Sequence, residues 1–295
     1  MVYNDALAAR KAAKRKPDNP QSVRFSRNGF RLRDNGRLNL AKIGDVRVRW
    51  SRPLPSAPSS ATVVKDASDR YFAGFVVDVA PQPLPAADAE VGVDLGLTHY
   101  AVLSDGQVID NPRFLRRSER RLRKAQQALS RKAKGSKNRV EARVKVSRAH
   151  ARVADARRDW CHQNVSRLVR DNQAVYLEDL AVSGLARTRM AKSVHDAARG
   201  VFRRILEEKA TRYGLHVGVV SRRLPSSQTC HLCWVVDGRK PLHVRQWACS
   251  GCAAVHDRAL NASRVDPRRR AGGEAERPWR ADMPWSGDPT PGTAR

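Results

Sequence analysis

The sequence predicts an α/β protein: a mixed sheet that carries a basic helical hairpin, with a zinc ribbon inserted towards its end. Three observations predict it. Short β-branched and aromatic runs come in the order β-β-β, then two long helical patterns, then β, α, β. Residues 113–170 hold 20 Lys or Arg against 4 Asp or Glu, a net of +16. Two Cys-x2-Cys pairs, Cys230/Cys233 and Cys249/Cys252, are separated by fifteen residues.

The elements follow in chain order. Residues 1–85 are β-rich: "VRVRW" (Val46 to Trp50), "ATVVKD" and "RYFAGFVVDVA" alternate or cluster strand formers, and Asp34-Asn35-Gly36 is a turn signal. "RPLPSAPSS" reads as a loop, and the Pro- and Ala-rich stretch from Ala80 to Asp88 as a linker and domain boundary. Val91 to Leu95 is a short apolar strand carrying Asp94. "HYAVLS" and "QVID" follow it, joined by a tight turn at Asp105-Gly106, which makes a three-stranded meander.

Next comes the hairpin, broken at Gly135. Its first helix places Leu115, Leu122, Ala125 and Leu129 on one stripe. Its second places Val140, Val144, Ala151, Ala154, Cys161, Val165 and Leu168 on another. Cys161 therefore reads as buried core. A strand from Ala174 to Leu177 ends in Glu178-Asp179. "VFRRILEEKATRYG" is an amphipathic helix stopped by Gly214, and "LHVGVVS" reads as a further buried strand.

Charge narrows the partners. The whole chain of 295 residues holds 57 Lys or Arg against 29 Asp or Glu, a formal net charge of +28. Polyphosphate is the usual partner of such a chain, because each neutralised phosphate releases counterions. A merely solvated helix face would mix both signs, whereas residues 113–170 do not. Arg116, Arg117, Arg120 and Arg121 are the candidate nucleic-acid-binding cluster. No apolar run approaches the ~18 residues that a spanning helix needs, and residues 1–16 have no signal-peptide core. The expectation is a soluble protein of the cytoplasm with no membrane partner.

Five cysteines are too few for a disulfide scaffold in a chain this size. Each Cys-x2-Cys knuckle lets two thiolates reach one ion at about 2.3 Å, and four thiolates make a closed tetrahedral site without catalytic vacancy. Structural Zn²⁺ is the expected occupant. The acids form a second set. Asp94 and Glu178 stand at strand ends, and Asp257 lies in "HDRALNAS". An acid inside an apolar strand is costly unless it is paired or metal-bound. Carboxylates converging from separate strands are what a Mg²⁺-dependent nuclease needs.

"KIGDVRVRWSRPLP", "GVDLGLTHYAVLSDG", "YLEDLAVSGLARTRMAKSVHDA" and "SSQTCHLC…CSGCAAVHDRALNAS" together resemble the TnpB (OrfB) family, transposon-encoded RNA-guided DNA endonucleases related to type V CRISPR effectors. The resemblance spans residues 22–263. It implies an RNase H-like (RuvC-type) nuclease domain, preceded by a partial oligonucleotide-binding β-barrel, the wedge domain. It implies DNA and a guide RNA as partners, Asp94 and Glu178 as the first and second catalytic carboxylates, and the four cysteines as zinc ligands. On that pattern residues 1–85 are the partial wedge domain and 86–225 the nuclease domain. Residues 226–256 are the ribbon, 257–265 the last nuclease motif and 266–295 a disordered tail.

The chain also departs from the family. The third motif usually reads Asp-Arg-Asp-x-Asn-Ala with its second Asp as ligand; here that place is Ala259 and only Asp257 remains. Trp234 replaces the Gly that usually follows the second cysteine. "ALNAS" reads as a helix start, which turns Asp257 away as an N-terminal cap. The alternative is that Asp257 serves as the third ligand. Three functions stay open: a Mg²⁺-dependent RNA-guided nuclease, a cleavage-dead DNA binder or remnant of the same scaffold, and a basic zinc-ribbon RNA-binding protein.

Overall fold

The computed structural model describes residues 21–265, except 81, 86, 180–192, 194, 195, 222, 223 and 242. The expected tail at 266–295, the first twenty residues and most of "AVSGLARTRMAKSVHDA" lie outside the described residues. The chain divides into two compact units. One comprises Met1–Glu90, Asn111–Val175 and Ala181–Val217. The other comprises Val91–Asp110, Tyr176–Leu180 and Gly218–Arg295.

The first unit begins with two small antiparallel sheets. β1 (Gln21–Ser26), β5 (Ser60–Lys65) and β6 (Tyr71–Val76) form one, in the order β1-β5-β6. β2 (Phe30–Leu32), β3 (Arg37–Leu40) and β4 (Gly44–Arg47) form the other. They share a core of Phe25, Phe30, Leu38, Leu40 and Ala61. The expected strand through Trp50 ends at Arg47. Trp50 instead stacks on Phe75 at 5.3 Å, and its indole N–H donates to the Gly36 carbonyl (2.8 Å). The β5–β6 turn is built on Asp66. Burial would raise its pKa, but hydrogen bonds from Ser68 and Arg70 outweigh that and hold it at about 2.

The basic hairpin is α1 (Phe114–Ser130) and α2 (Lys137–Asp171). The turn between them uses Gly135 at φ +85°, where a Cβ is disfavoured. Ser136 caps α2 by accepting from the Arg139 N–H. The Arg139 guanidinium reaches back to the carbonyls of Leu129 (3.3 Å) and Lys132 (2.8 Å), at the negative end of α1.

At its other end α1 has no cap of its own. Asp196, 5% exposed, supplies one from eighty residues on. It accepts from the N–H groups of Leu115 (2.8 Å) and Arg116 (3.4 Å), and pairs with Arg157 of α2 (3.2 Å).

In the hairpin core Leu122 meets Ala149 and Val153. In α2 the expected stripe holds at Cys161, Val165 and Leu168, all buried, but its first half is out of phase. Ala142, Ala149 and Val153 are buried, Val140 is 54% exposed, and Ala154 faces outward. Valines or alanines at 140, 142, 144 and 146 offer two helical faces, and the partner helix selects one. α3 (Arg199–Tyr213) packs on α2 and ends where Gly214 turns left-handed at φ +74°.

The second unit holds most of a five-stranded mixed sheet in the order β11-β10-β7-β8-β9. The expected meander is β7 (Glu90–Asp94), β8 (His99–Leu103) and β9 (Val108–Asp110), with antiparallel pairs β7–β8 and β8–β9. β10 (Ala174–Glu178) lies beside β7, and β11 (His216–Val220) forms the edge beyond it. β11 is not the buried strand expected: His216 and Val219 are exposed, as befits an edge position. The Gln173 N–H donates to the Ala89 carbonyl (2.7 Å) at the start of β10 and β7, so these neighbours run the same way.

α4 (Arg258–Arg264) lies on β7 with no room to spare. A Cβ placed on Gly92 would sit 2.0 Å from the Ser263 carbonyl oxygen. Gly92→Ala must therefore displace α4, at a loss of about 2–3 kcal/mol. The expected outcome is a lower urea midpoint with faster amide exchange across α4, measured by hydrogen–deuterium exchange.

Candidate functional site

Asp94 and Glu178 end two neighbouring strands that run the same way. Two observations put both on the face that α4 covers. Gly92 points its missing side chain at Ser263 of α4, and Asp94, two residues on, shares that side of the strand. Glu178 Oε1 accepts from the Ser226 hydroxyl, and the Ser226 carbonyl accepts from Asn261 Nδ2 of α4 (3.3 Å). Both carboxylates are half-buried.

The third acid is placed differently. Asp257 is exposed and is the N-cap of α4: its Oδ1 accepts from the N–H groups of Ala259 and Leu260, both at 3.0 Å. Ala259 precedes Ser263 by one helical turn and so lies on the α4 face that meets β7. The α4 position on the face that meets β7 therefore carries a methyl group, while the Asp257 carboxylate is bound to its own helix.

The four cysteines come together as their spacing predicts. Their sulfurs all lie within 4.8 Å of one another, with Cys230–Cys252 at 3.7 Å and Cys233–Cys249 at 3.5 Å. Thiolates on one tetrahedral ion at about 2.3 Å would stand about 3.8 Å apart, so the cage fits such an ion. The Gly251 N–H donates to Cys249 Sγ (3.3 Å). Burial opposes ionisation of Cys249, but N–H groups of Cys252 and Gly251 outweigh it and bring its pKa to about 7. Four thiols this close cannot all ionise by themselves; a divalent cation removes that conflict.

Around the cage, β12 (Gln246–Ala248) pairs with β13 (Val255–Asp257). The Lys240 ammonium lies 3.9 Å over the Trp247 ring. His256 packs against Trp247 with its Nε2 3.1 Å from Cys230 Sγ. The residues after each knuckle, Trp234 (φ +62°) and Ala253 (φ +59°), are both left-handed. That conformation explains physically why a glycine suits the place Trp234 fills.

In the first unit, Arg116, Arg117, Arg120 and Arg121 are all exposed along α1. Arg116 also donates to the Ser193 hydroxyl (2.9 Å). A groove of about 550 Å³ between α1 and α2 is lined by Arg121, Lys124, Lys132 and Lys145, with Glu141 among them.

Three residues were not singled out from the sequence: Asp196, Ser226 and Asn261. Each acts through a partner dozens of positions away, which no local pattern signals. Asn261 had one available signal, an amide in the middle of a short alanine-flanked helix, where a polar side chain needs a tertiary partner.

Residues 74–189 match the family model OrfB_IS605, described as "Probable transposase", and residues 200–265 match the Cas12f1-like TNB domain. A Streptomyces pristinaespiralis protein named "Putative RNA-guided DNA endonuclease" is 45% identical over 247 residues, covering 82% of this chain and 61% of that one. The chain belongs to the TnpB family.

A Mycobacterium tuberculosis protein, also named as a putative RNA-guided DNA endonuclease, is 32% identical over 279 residues, covering 85% of this chain and 59% of that one. The chain thus spans about three-fifths of the length of these relatives. Among solved structures, a Cas12f1–sgRNA–target DNA complex contains a chain matching with TM-score 0.52 at 13% identity, over 84% of this chain and 59% of that one. That likeness concerns the fold. Among the described residues, no helix is long and apolar enough to cross a membrane.

Metal analysis should find one Zn²⁺ per chain, and none in Cys249→Ala. Ala253→Gly relieves a left-handed alanine worth about 1 kcal/mol. It should therefore raise the chelator concentration that strips half the zinc by about fivefold, followed with a colorimetric zinc dye.

Proposed function

We propose that this TnpB-family chain is the scaffold of a Mg²⁺-dependent, RNA-guided DNA endonuclease whose cleavage is impaired by Ala259. The observation that carries this reading is the placement of Asp94 and Glu178 at the ends of neighbouring strands, on the face beneath α4. The relatives' names and the match to a chain in a guide-RNA and target-DNA complex support DNA and guide RNA as partners. On this reading residues 1–85 are a partial wedge domain, 86–225 and 257–265 the RuvC-type nuclease domain, and 226–256 the zinc ribbon. The chain would act in the cytosol, where its polyanionic partners are.

Asp94 and Glu178 offer hard carboxylate oxygens and would hold Mg²⁺. The bound ion supplies charge neutralisation at the scissile phosphate and an activated water. Two such ions ~3.5–4 Å apart need more negative charge than two carboxylates give. Asp257 is engaged as a cap, and Ala259 contributes none. The specific observation of Asp257 capping its own helix favours the second reading, a DNA binder that does not cut. The third, an RNA-binding protein without an active site, is disfavoured by the shared face of Asp94 and Glu178.

The hairpin supplies phosphate contacts through Arg116, Arg117, Arg120 and Arg121. Affinity for duplex DNA should fall steeply with salt, at about −0.9 in log–log slope for each phosphate contact. Replacing all four arginines with alanine should flatten the slope by up to about 3–4 units. An unchanged slope in fluorescence-anisotropy titrations places the contacts elsewhere.

With co-purified RNA and Mg²⁺, the wild-type chain should leave a matched DNA target uncut, and Ala259→Asp should introduce cleavage. Robust wild-type cleavage that Asp94→Ala removes overturns the impairment. If Asp257→Ala removes it as well, the capping carboxylate is the third ligand after all.

A further inference from the structure

Glu178 and the zinc ribbon are joined by a short polar chain that neither the nuclease chemistry nor the zinc site accounts for. Ser226 is at its centre. It is 5% exposed, and its hydroxyl donates to Glu178 Oε1 across 48 residues. Other hydroxyls nearby satisfy themselves locally: Thr229 donates to the Pro225 carbonyl (3.0 Å) and Ser263 to that of Leu260 (2.8 Å). Ser226 bonds outward to a carboxylate instead.

Its backbone is held in turn by Asn261, which is 1% exposed and uses its whole amide. Nδ2 donates to the carbonyls of Ser226 (3.3 Å) and Thr229 (2.7 Å). Oδ1 accepts from the His231 N–H and lies 3.0 Å from His231 Nδ1. Thr229 and His231 flank Cys230, the first cysteine of the cage. One buried amide thus grips both neighbours of a zinc-binding cysteine and the residue that orients Glu178.

We infer that Ser226 and Asn261 are positioning residues through which the zinc-loaded ribbon fixes the direction of the Glu178 carboxylate. This rests on the reading of Asp94 and Glu178 as a metal-binding pair. A glutamate has three rotatable side-chain bonds and does not hold one orientation unaided. A hydroxyl donating to Oε1 selects one orientation and leaves Oε2 to face the site. Without zinc, Thr229 and His231 are no longer fixed relative to each other. Asn261 then loses the contacts that anchor Ser226, and Glu178 loses its donor.

The test uses the full chain and Mn²⁺ as the probe, followed by water-proton relaxation, with zinc content measured in parallel. Asp94→Ala and Glu178→Ala are the controls. Ser226→Ala should keep one zinc per chain and bind Mn²⁺ roughly tenfold more weakly, the scale of a hydrogen bond to a charged group. Ser226→Thr, which keeps the hydroxyl, should bind as wild type does.

Zinc-stripped wild-type protein, dialysed free of chelator, should show the same tenfold loss. Stripping zinc from Ser226→Ala should add little, since the link is already cut. Ser226 carries the test because Asn261→Ala removes four hydrogen bonds at once. Wild-type Mn²⁺ affinity in zinc-loaded Ser226→Ala overturns the inference, as does failure of Ser226→Thr to restore binding. If instead both carboxylate controls bind Mn²⁺ as wild type does, the metal-pair reading itself falls, whatever Ser226 does.

Discussion

The contact between the Ser263 carbonyl and the bare Cα of Gly92 sets the height of α4 above the sheet. Helices usually rest on sheets through interdigitating side chains. Here backbone meets backbone, and the helix sits closer than a single methyl group would permit. Ala259 and Asn261 take their places from that height, one on the face that meets β7 and the other turned towards the ribbon. The start of α4 is fixed separately by the Asp257 cap. A carboxylate that satisfies two amide N–H groups of its own helix has less capacity left for anything beyond it.

The first unit meets a different constraint. Its hairpin concentrates positive charge and would repel itself if its helices were free to adjust. Asp196 opposes this from within by neutralising Arg157 and satisfying the orphan N–H groups that open α1. Arg139 does the reciprocal work at the far end, where carbonyls lack partners. The two helices are therefore clamped at both ends by charged groups, and the exposed arginines project from a fixed frame.

Much of this was legible from residue order, and the reasons are local. The meander around Asp105-Gly106, the stop at Gly214 and the paired knuckles depend on neighbours a few positions apart. Asp257 as a helix cap was legible too, because capping is written into the first turn that follows it. What escaped was set by distant partners. The first half of α2 offered two apolar faces, and only Leu122 and its neighbours on α1 decide between them. β11 is apolar enough for a buried strand, yet its place at the sheet edge leaves Val219 exposed. The bonds made by Asp196, Ser226 and Asn261 span from 30 to 81 positions; nothing beside Asp196 or Ser226 announces them, and at Asn261 the one hint is an amide inside a short helix.

The parallel pairing of β7 with β10, and the seat of α4 on β7, also dictate an order of events during synthesis. β7 emerges from the ribosome with its meander partner β8, but its other neighbour, β10, follows some eighty residues later. α4 follows β10 by about as many again. At translation speeds of about 5–20 residues per second, the strand bearing Asp94 waits several seconds for each. The basic hairpin fills most of the first wait, ending at Asp171 just before β10, and is complete throughout the second. On the function proposed above, the nascent chain would therefore engage a polyanion before α4 is seated, so that capture of a nucleic acid would precede, in time, the completion of the face that would act on it.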